Sequence, residues 1–273
     1  MGFEKNHNVI VCIDSDGCAM DTMNLKHQRC FGPYAVEVFG LRDRERFIAI
    51  WDRLNLYSQT RGINRFKGLV LGLKAYGYEL DIQHLTDWVN SSRELSNRSL
   101  MAEFERVGSA DLRLALDWSE KVNEGIKALR HQDAPFGNVK RSLEMITQFA
   151  DVAVVSSANN DAIIDEWSRH HLLPYVNVVF GQEQGSKAFA LNQLKQYGYQ
   201  PEQILMVGDS PGDLGAAQEA RTLFFPILCH QESESWDRLV LEALGKLVFQ
   251  KFDDTYQQQL IATFQQHLTA SEE

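Results

Sequence analysis

From residue 139 onward the sequence switches between two hydrophobic periods so regularly that few chain folds can absorb it. Residues 139–149, 161–171, 187–197 and 213–220 carry helical periodicity. Between and after them stand short apolar runs at 152–155, 176–180, 204–207 and 223–228. Strands and helices in alternation predict a parallel sheet whose crossovers cover both faces. Near the start of the chain Val9, Ile10, Val11, Cys12 and Ile13 form one more such run, rich in β-branched residues, and belong in the same sheet. The expected fold class is α/β, a doubly wound parallel sheet.

Between that first strand and residue 139 the character differs. Helical periodicity recurs at 42–57, 64–76, 81–89, 99–107 and 110–129, with no convincing strand. Phe47, Ile48, Trp51 and Leu54 mark one apolar stripe, and Leu112, Ala115, Leu116 and Val122 another. Trp51 and Trp88 read as core, and RDRER (42–46) and EFER (103–106) as solvated faces. The stretch HQDAPFGN, with its Pro and Gly, is where the chain would leave this block. The organisation expected is a Rossmann-like core domain, 1–22 plus 139–273, carrying an inserted all-helical domain, 23–138. Helices at 235–252 and 256–268 would close the core.

Each expected strand ends in polar residues, at the edge where open α/β sheets bind ligands. The first is followed by Asp14, Asp16 and Gly17 in a D-x-D-G pattern. Two acids so close repel unless a cation or proton lies between them, and Mg²⁺ is a hard ion suited to carboxylate oxygen. An Asx-rich turn explains the same letters. The run VAVV ends in Ser156, Ser157, Ala158 and Asn159, which suits an anion at a helix start but also a plain N-cap. Lys187 opens a helix, where a cation opposes the macrodipole unless an anion faces it. ILMV runs into GDSPGD, bringing Asp209 and Asp213. Capping accounts for one of those acids more readily than for both.

Four such motifs in this order resemble the haloacid dehalogenase-like superfamily of aspartate-nucleophile phosphohydrolases. The resemblance rests on DSDG with the downstream Asp21 and Thr22, on VVSSAN, on GSK and on GDSPGD, and covers about 1–22 and 139–228. An insertion directly after the first motif is similar to that of members with a helical cap. The resemblance implies that Asp14 is the nucleophile, forming an aspartyl-phosphate, and that Asp16 protonates the leaving oxygen and later activates water. It implies Mg²⁺ held by the side chains of Asp14 and Asp209 and the backbone carbonyl of Asp16, with Asp213 orienting that shell. Ser156 and Lys187 would bind the phosphoryl oxygens. The second acid, Asp16, points to C–O–P chemistry. Cys18 departs from the Thr or Val usual at its position and reads as a small packed thiol. In the insert, TRGINR (60–65) is similar to a G-x-x-R segment of the sugar phosphomutase branch, which makes Arg61, Asn64 and Arg65 candidate substrate contacts.

A formal charge of -10 argues against nucleic acid as a partner, since affinity there comes from clustered Lys and Arg. Cys12, Cys18, Cys30 and Cys229 show neither C-x-x-C nor secreted spacing, so reduced thiols in the cytoplasm are expected. MGFEKNHNVIV lacks the pattern of a leader, Asn6 stands where myristoylation needs Ser or Thr, and no apolar run approaches the roughly 20 residues that span a bilayer. The expected activity is a Mg²⁺-dependent phosphatase for a small phosphorylated metabolite, with no obligate protein partner. The alternatives are a sugar phosphomutase, with Arg65 and Lys67 on the non-reacting phosphate, and a non-catalytic binder of a phosphorylated ligand.

Overall fold

The computed structural model describes residues 3–129 and 131–270, which divide into two compact units. The chain up to Thr22 joins Asp133–Ala270 in one, and Met23–Gln132 form the other. In chain order, β1 (Ile10–Ile13) precedes α1 (Met23–Lys26), α2 (Gly32–Val38), α3 (Arg44–Leu56), α4 (Arg65–Tyr76), α5 (Gln83–Ser91), α6 (Asn97–Val107) and α7 (Ala110–Ala128). Strands and helices then alternate through α8 (Val139–Ile146), β2 (Asp151–Val155), α9 (Asn160–Arg169), β3 (Val178–Phe180), α10 (Lys187–Gln196), β4 (Ile204–Gly208), α11 (Pro211–Ala220) and β5 (Leu223–Pro226). Helices α12 (Glu232–Arg238), α13 (Leu244–Val248) and α14 (Asp254–Ala270) complete the fold.

The strands pair in the order β3-β2-β1-β4-β5, all parallel. The chain therefore builds the sheet outward on one side of β1, then returns to build the other, which makes the gap between β1 and β4 its switch point. Every residue of β1, β2 and β4 is buried, which is why these runs are apolar apart from Asp151 at the start of β2, whose carboxylate accepts from the N–H groups of Asn6 and His7. Val9, Val11, Ile13, Val152, Val154, Leu205 and Val207 share one core with Leu143, Trp167 and Trp236. Ile10, Cys12, Ala153 and Met206 alternate with them and face the other side. At the β5 edge the Gln257 side chain accepts from the Phe224 N–H at 2.8 Å and donates to its carbonyl at 2.9 Å. That contact blunts an otherwise open ladder.

The helical unit has its own core of Phe31, Phe47, Trp51, Phe66, Trp88 and Trp118. Its rings meet edge to face, Phe66 on Trp88 at 5.0 Å and Trp51 on Trp118 at 6.0 Å, and the Trp118 indole donates to the Phe31 carbonyl at 3.0 Å. Burying both aromatic surface and indole N–H in this way needs such a partner.

Three departures from the expected elements have physical causes. Residues 23–38, where no individual helix is expected, are helical and joined through a π turn at His27–Phe31. Pro33 sits at the start of α2, where its missing N–H costs nothing. The expected helix 235–252 is broken by a second π turn, Leu239–Ala243, which keeps Leu239, Val240, Ala243 and Leu244 all buried, and it ends at Val248. Residues 133–138, expected in the insert, belong with the sheet, because Asp21 N–H donates to Ala134 O at 2.8 Å and Phe136 N–H to Ala19 O at 3.0 Å.

Candidate active site

Parallel register decides which side chains meet. Ile13 lies opposite Val154 on one side and Val207 on the other, so Asp14 leaves β1 level with the ends of β2 and β4. Its N–H donates to Val207 O at 3.0 Å, extending the ladder by one residue past the strand. Asp209 follows β4 directly, and Asp213 lies in the first turn of α11. All three acids are buried, and one carboxylate oxygen from each lies within 4.8 Å of the others. Gly208 makes this approach feasible, since a Cβ there would stand 2.3 Å from the Asp213 Cβ.

Lys187, the first residue of α10, reaches into the same cluster. Its ammonium lies 2.8 Å from Asp14 Oδ2 and 2.6 Å from Asp213 Oδ1. The other Asp213 oxygen accepts from the N–H of Ser210 at 3.0 Å and from its hydroxyl at 2.7 Å, while Asp14 Oδ1 accepts from the Ser15 N–H at 2.8 Å. Burial pushes the Asp14 carboxyl well above its ordinary pKa, Lys187 opposing this and Asp213 and Asp209 adding to it. Burial also works against the Lys187 charge, but the Asp14 and Asp213 carboxylates outweigh it and hold the ammonium on. Three buried acids and one ammonium are thus brought together in a desolvated place. A divalent cation with a preference for oxygen fits this set of carboxylate donors. Asp213 has both oxygens held, by Ser210 and Lys187, as Asp14 has by the Ser15 N–H and Lys187.

The Asp16 carboxylate stands outside that cluster and accepts from the Thr22 hydroxyl through Oδ1. Gly17, at φ 80°, makes the turn between them. Ser156 follows β2 directly on the same sheet edge and is buried; its N–H donates to Phe180 O at 2.9 Å and its hydroxyl oxygen accepts from the Ala158 N–H at 3.2 Å. Capping of α9 falls to Asn159, which accepts from the Ala162 N–H at 2.9 Å. Cys18 is buried and turns its thiol toward Val207 O at 3.5 Å. Ser210 went unread in the sequence as a site residue. Its signal was the S-x-x-D spacing of a capping box, which the structure forms with Asp213.

The three candidates of the helical unit lie around the start of α4. Arg61 is buried and donates to Leu56 O at 2.5 Å. Asn64 caps α4 through the Phe66 N–H at 2.9 Å and donates to Leu95 O at 3.1 Å. Arg65, which a mutase reading would set on a second phosphate, donates to Asn123 at 2.6 Å and lies over the Phe31 ring at 5.1 Å. Burial lowers its pKa.

Among the described residues no helix is long and apolar enough to cross a membrane. No curated protein matches the chain in sequence. In structure it is similar to a haloacid dehalogenase-like family hydrolase from Streptococcus pneumoniae (TM-score 0.52, 14% identity, 87% of this chain and 97% of that one). It is also similar to YfnB from Bacillus subtilis, named as a HAD-hydrolase and solved bound to magnesium (TM-score 0.51, 12% identity, 81% and 87%). A third likeness is to a predicted phosphoglycolate phosphatase from Haemophilus somnus 129pt (TM-score 0.50, 14% identity, 81% and 84%). At such identities these likenesses show the fold. The family model described as haloacid dehalogenase-like hydrolase matches residues 73–226, more than half of the 273, and the chain belongs to that family.

Proposed function

We propose that this hydrolase is a Mg²⁺-dependent phosphatase, acting in the cytoplasm on the phosphate monoester of a small metabolite. The observation that carries the reading is the convergence of Asp14, Asp209, Asp213 and Lys187 at the switch point of the sheet. Asp14 attacks phosphorus and takes the phosphoryl group as an aspartyl-phosphate, which splits one hard displacement into two easier ones. Asp16, fixed by Thr22, gives its proton to the leaving oxygen and then takes one from the attacking water. Lys187 and the Ser156 hydroxyl bind the phosphoryl oxygens, Lys187 exchanging part of its contact with Asp14 for them. Asp14 and Asp209 would hold Mg²⁺ through their side chains and Asp16 through its carbonyl, with Asp213 keeping that arrangement in place. When bound, Mg²⁺ supplies charge to offset the transferring group. The insert is read as the family's helical cap. Arg61, Asn64 and Arg65 of that insert are the candidates for contact with the part of the substrate that does not react.

Purified protein with Mg²⁺ should release phosphate from p-nitrophenyl phosphate and from some members of a panel of sugar, nucleotide and glycerol phosphates. Asp14→Asn should abolish that release while keeping the circular dichroism of the folded chain. A folded wild type that releases none, with or without Mg²⁺, would overturn the reading.

A further inference from the structure

The turn that carries the two acids is organised around Ser15, the residue between them. Its carbonyl accepts from the N–H groups of Cys18, Ala19 and Met20 at 3.4, 3.0 and 2.8 Å, and its own N–H donates to Asp14 Oδ1. Ser15 is completely buried, so its hydroxyl must also find a partner, and it accepts from the Trp167 indole N–H at 2.9 Å. Trp167 is itself completely buried, on α9, the helix that follows the Ser156 loop. One side-chain hydrogen bond thus ties the acid-bearing turn to the element behind the anion-binding loop.

A buried indole contributes packing and an N–H that must find a partner, and Phe in its place loses that donor and some volume. Here the N–H is aimed at the single polar side chain that stands between Asp14 and Asp16. We propose that Trp167 is a positioning residue for the acid pair, acting through Ser15 to hold both carboxylates in one arrangement. The proposal rests on the phosphatase reading above for its activity readout, and on Mg²⁺ affinity for a readout that does not.

The test compares wild type, Trp167→Phe, Ser15→Ala and the double variant. Each is assayed with p-nitrophenyl phosphate for kcat and KM, and by calorimetry for the affinity of Mg²⁺ alone. Losing this buried hydrogen bond should lower kcat about tenfold with KM within about twofold, and should weaken Mg²⁺ binding several-fold. Because the two residues act as a pair, the double variant should lie close to either single one and not at their product. Unchanged kcat and Mg²⁺ affinity in Trp167→Phe, or strictly multiplicative losses, would overturn the proposal, even if thermal stability fell. A wild type that binds Mg²⁺ without turnover sinks the phosphatase reading alone, and the comparison of Mg²⁺ affinities then decides the proposal. A wild type that does neither sinks both.

Discussion

Asp52 shows how much a single carboxylate can report about its surroundings. It lies on α3, partly buried, and its Oδ1 is enclosed with no hydrogen-bond partner among the described residues. Burial alone pushes its pKa up to about 6, from roughly 3.9 in an unfolded chain. The folded chain therefore holds this proton more tightly than the unfolded one. Its contribution is fully favourable below about pH 4 and is lost as pH rises through about 6. A wholly buried group with this shift would cost about 3 kcal/mol at pH 8, but solvent reaches Asp52 and about 1 kcal/mol is the discounted expectation. Asp52→Asn should therefore raise the calorimetric unfolding midpoint at pH 8 and leave it unchanged at pH 4. Equal gains at both values would mean that charge is not the cause. Nothing in the sequence signals this residue, which reads there as one more acid on a polar helix face. Asp14, Asp209, Asp213 and Lys187 could be read because each follows a strand whose pattern was plain. Ser15 and Trp167, 152 residues apart, share no local pattern at all.

At the scale of elements, the return of the chain from the insert is pinned by a cluster on α9. Asp133 accepts from both terminal nitrogens of Arg169, Nη1 at 2.6 Å and Nη2 at 2.5 Å, and its Oδ1 lies 3.0 Å from His170 Nε2. Burial would raise the Asp133 pKa, but Arg169 and His170 outweigh it and hold the carboxyl below its ordinary value. A depressed acid stabilises the fold above its unfolded pKa, near 3.9, and loses that contribution as pH falls through the lower folded value. Asp133→Asn should cost about 1–2 kcal/mol at pH 7 by urea unfolding, and the difference from wild type should shrink below about pH 4. A constant difference from pH 7 to pH 3 would show that packing, not the ion pair, is lost. This cluster also explains why the insert ends at Gln132 and not at the 138 that the sequence suggests. HQDAPFGN reads as loop throughout, and only the long-range bonds from Asp133, Ala134 and Phe136 decide which of its residues belong with the sheet. The central strands were legible because burial on both faces keeps them apolar but for Asp151 at the start of β2, whereas the π turns at His27–Phe31 and Leu239–Ala243 follow from packing that no helical period encodes.

For the molecule as a whole, the question is whether the sheet needs the helical unit in order to fold. Each unit encloses a separate hydrophobic core, one around β1, Trp167 and Trp236, the other around Trp51, Phe66 and Trp118. The two points where the chain leaves and re-enters the sheet unit are already joined, Asp21 N–H to Ala134 O at 2.8 Å, with Met20 and Pro135 bridged beside them. A linker replacing residues 23–132 therefore needs to span only a short gap. Closing a loop of a few residues costs less conformational entropy than closing one of more than a hundred, so the exchange does not penalise the sheet. A chain in which a short Gly-Ser linker stands for 23–132 should unfold in one cooperative transition and bind Mg²⁺ within a few-fold of the parent. Non-cooperative melting, or Mg²⁺ binding lost while far-UV circular dichroism keeps its α/β shape, would show that the acids at the switch point depend on the insert. If the shortened chain still hydrolyses p-nitrophenyl phosphate but no longer distinguishes among phosphate monoesters that the parent ranks, chemistry and selection reside in different units. The sheet then holds the reaction, and the helices choose what undergoes it.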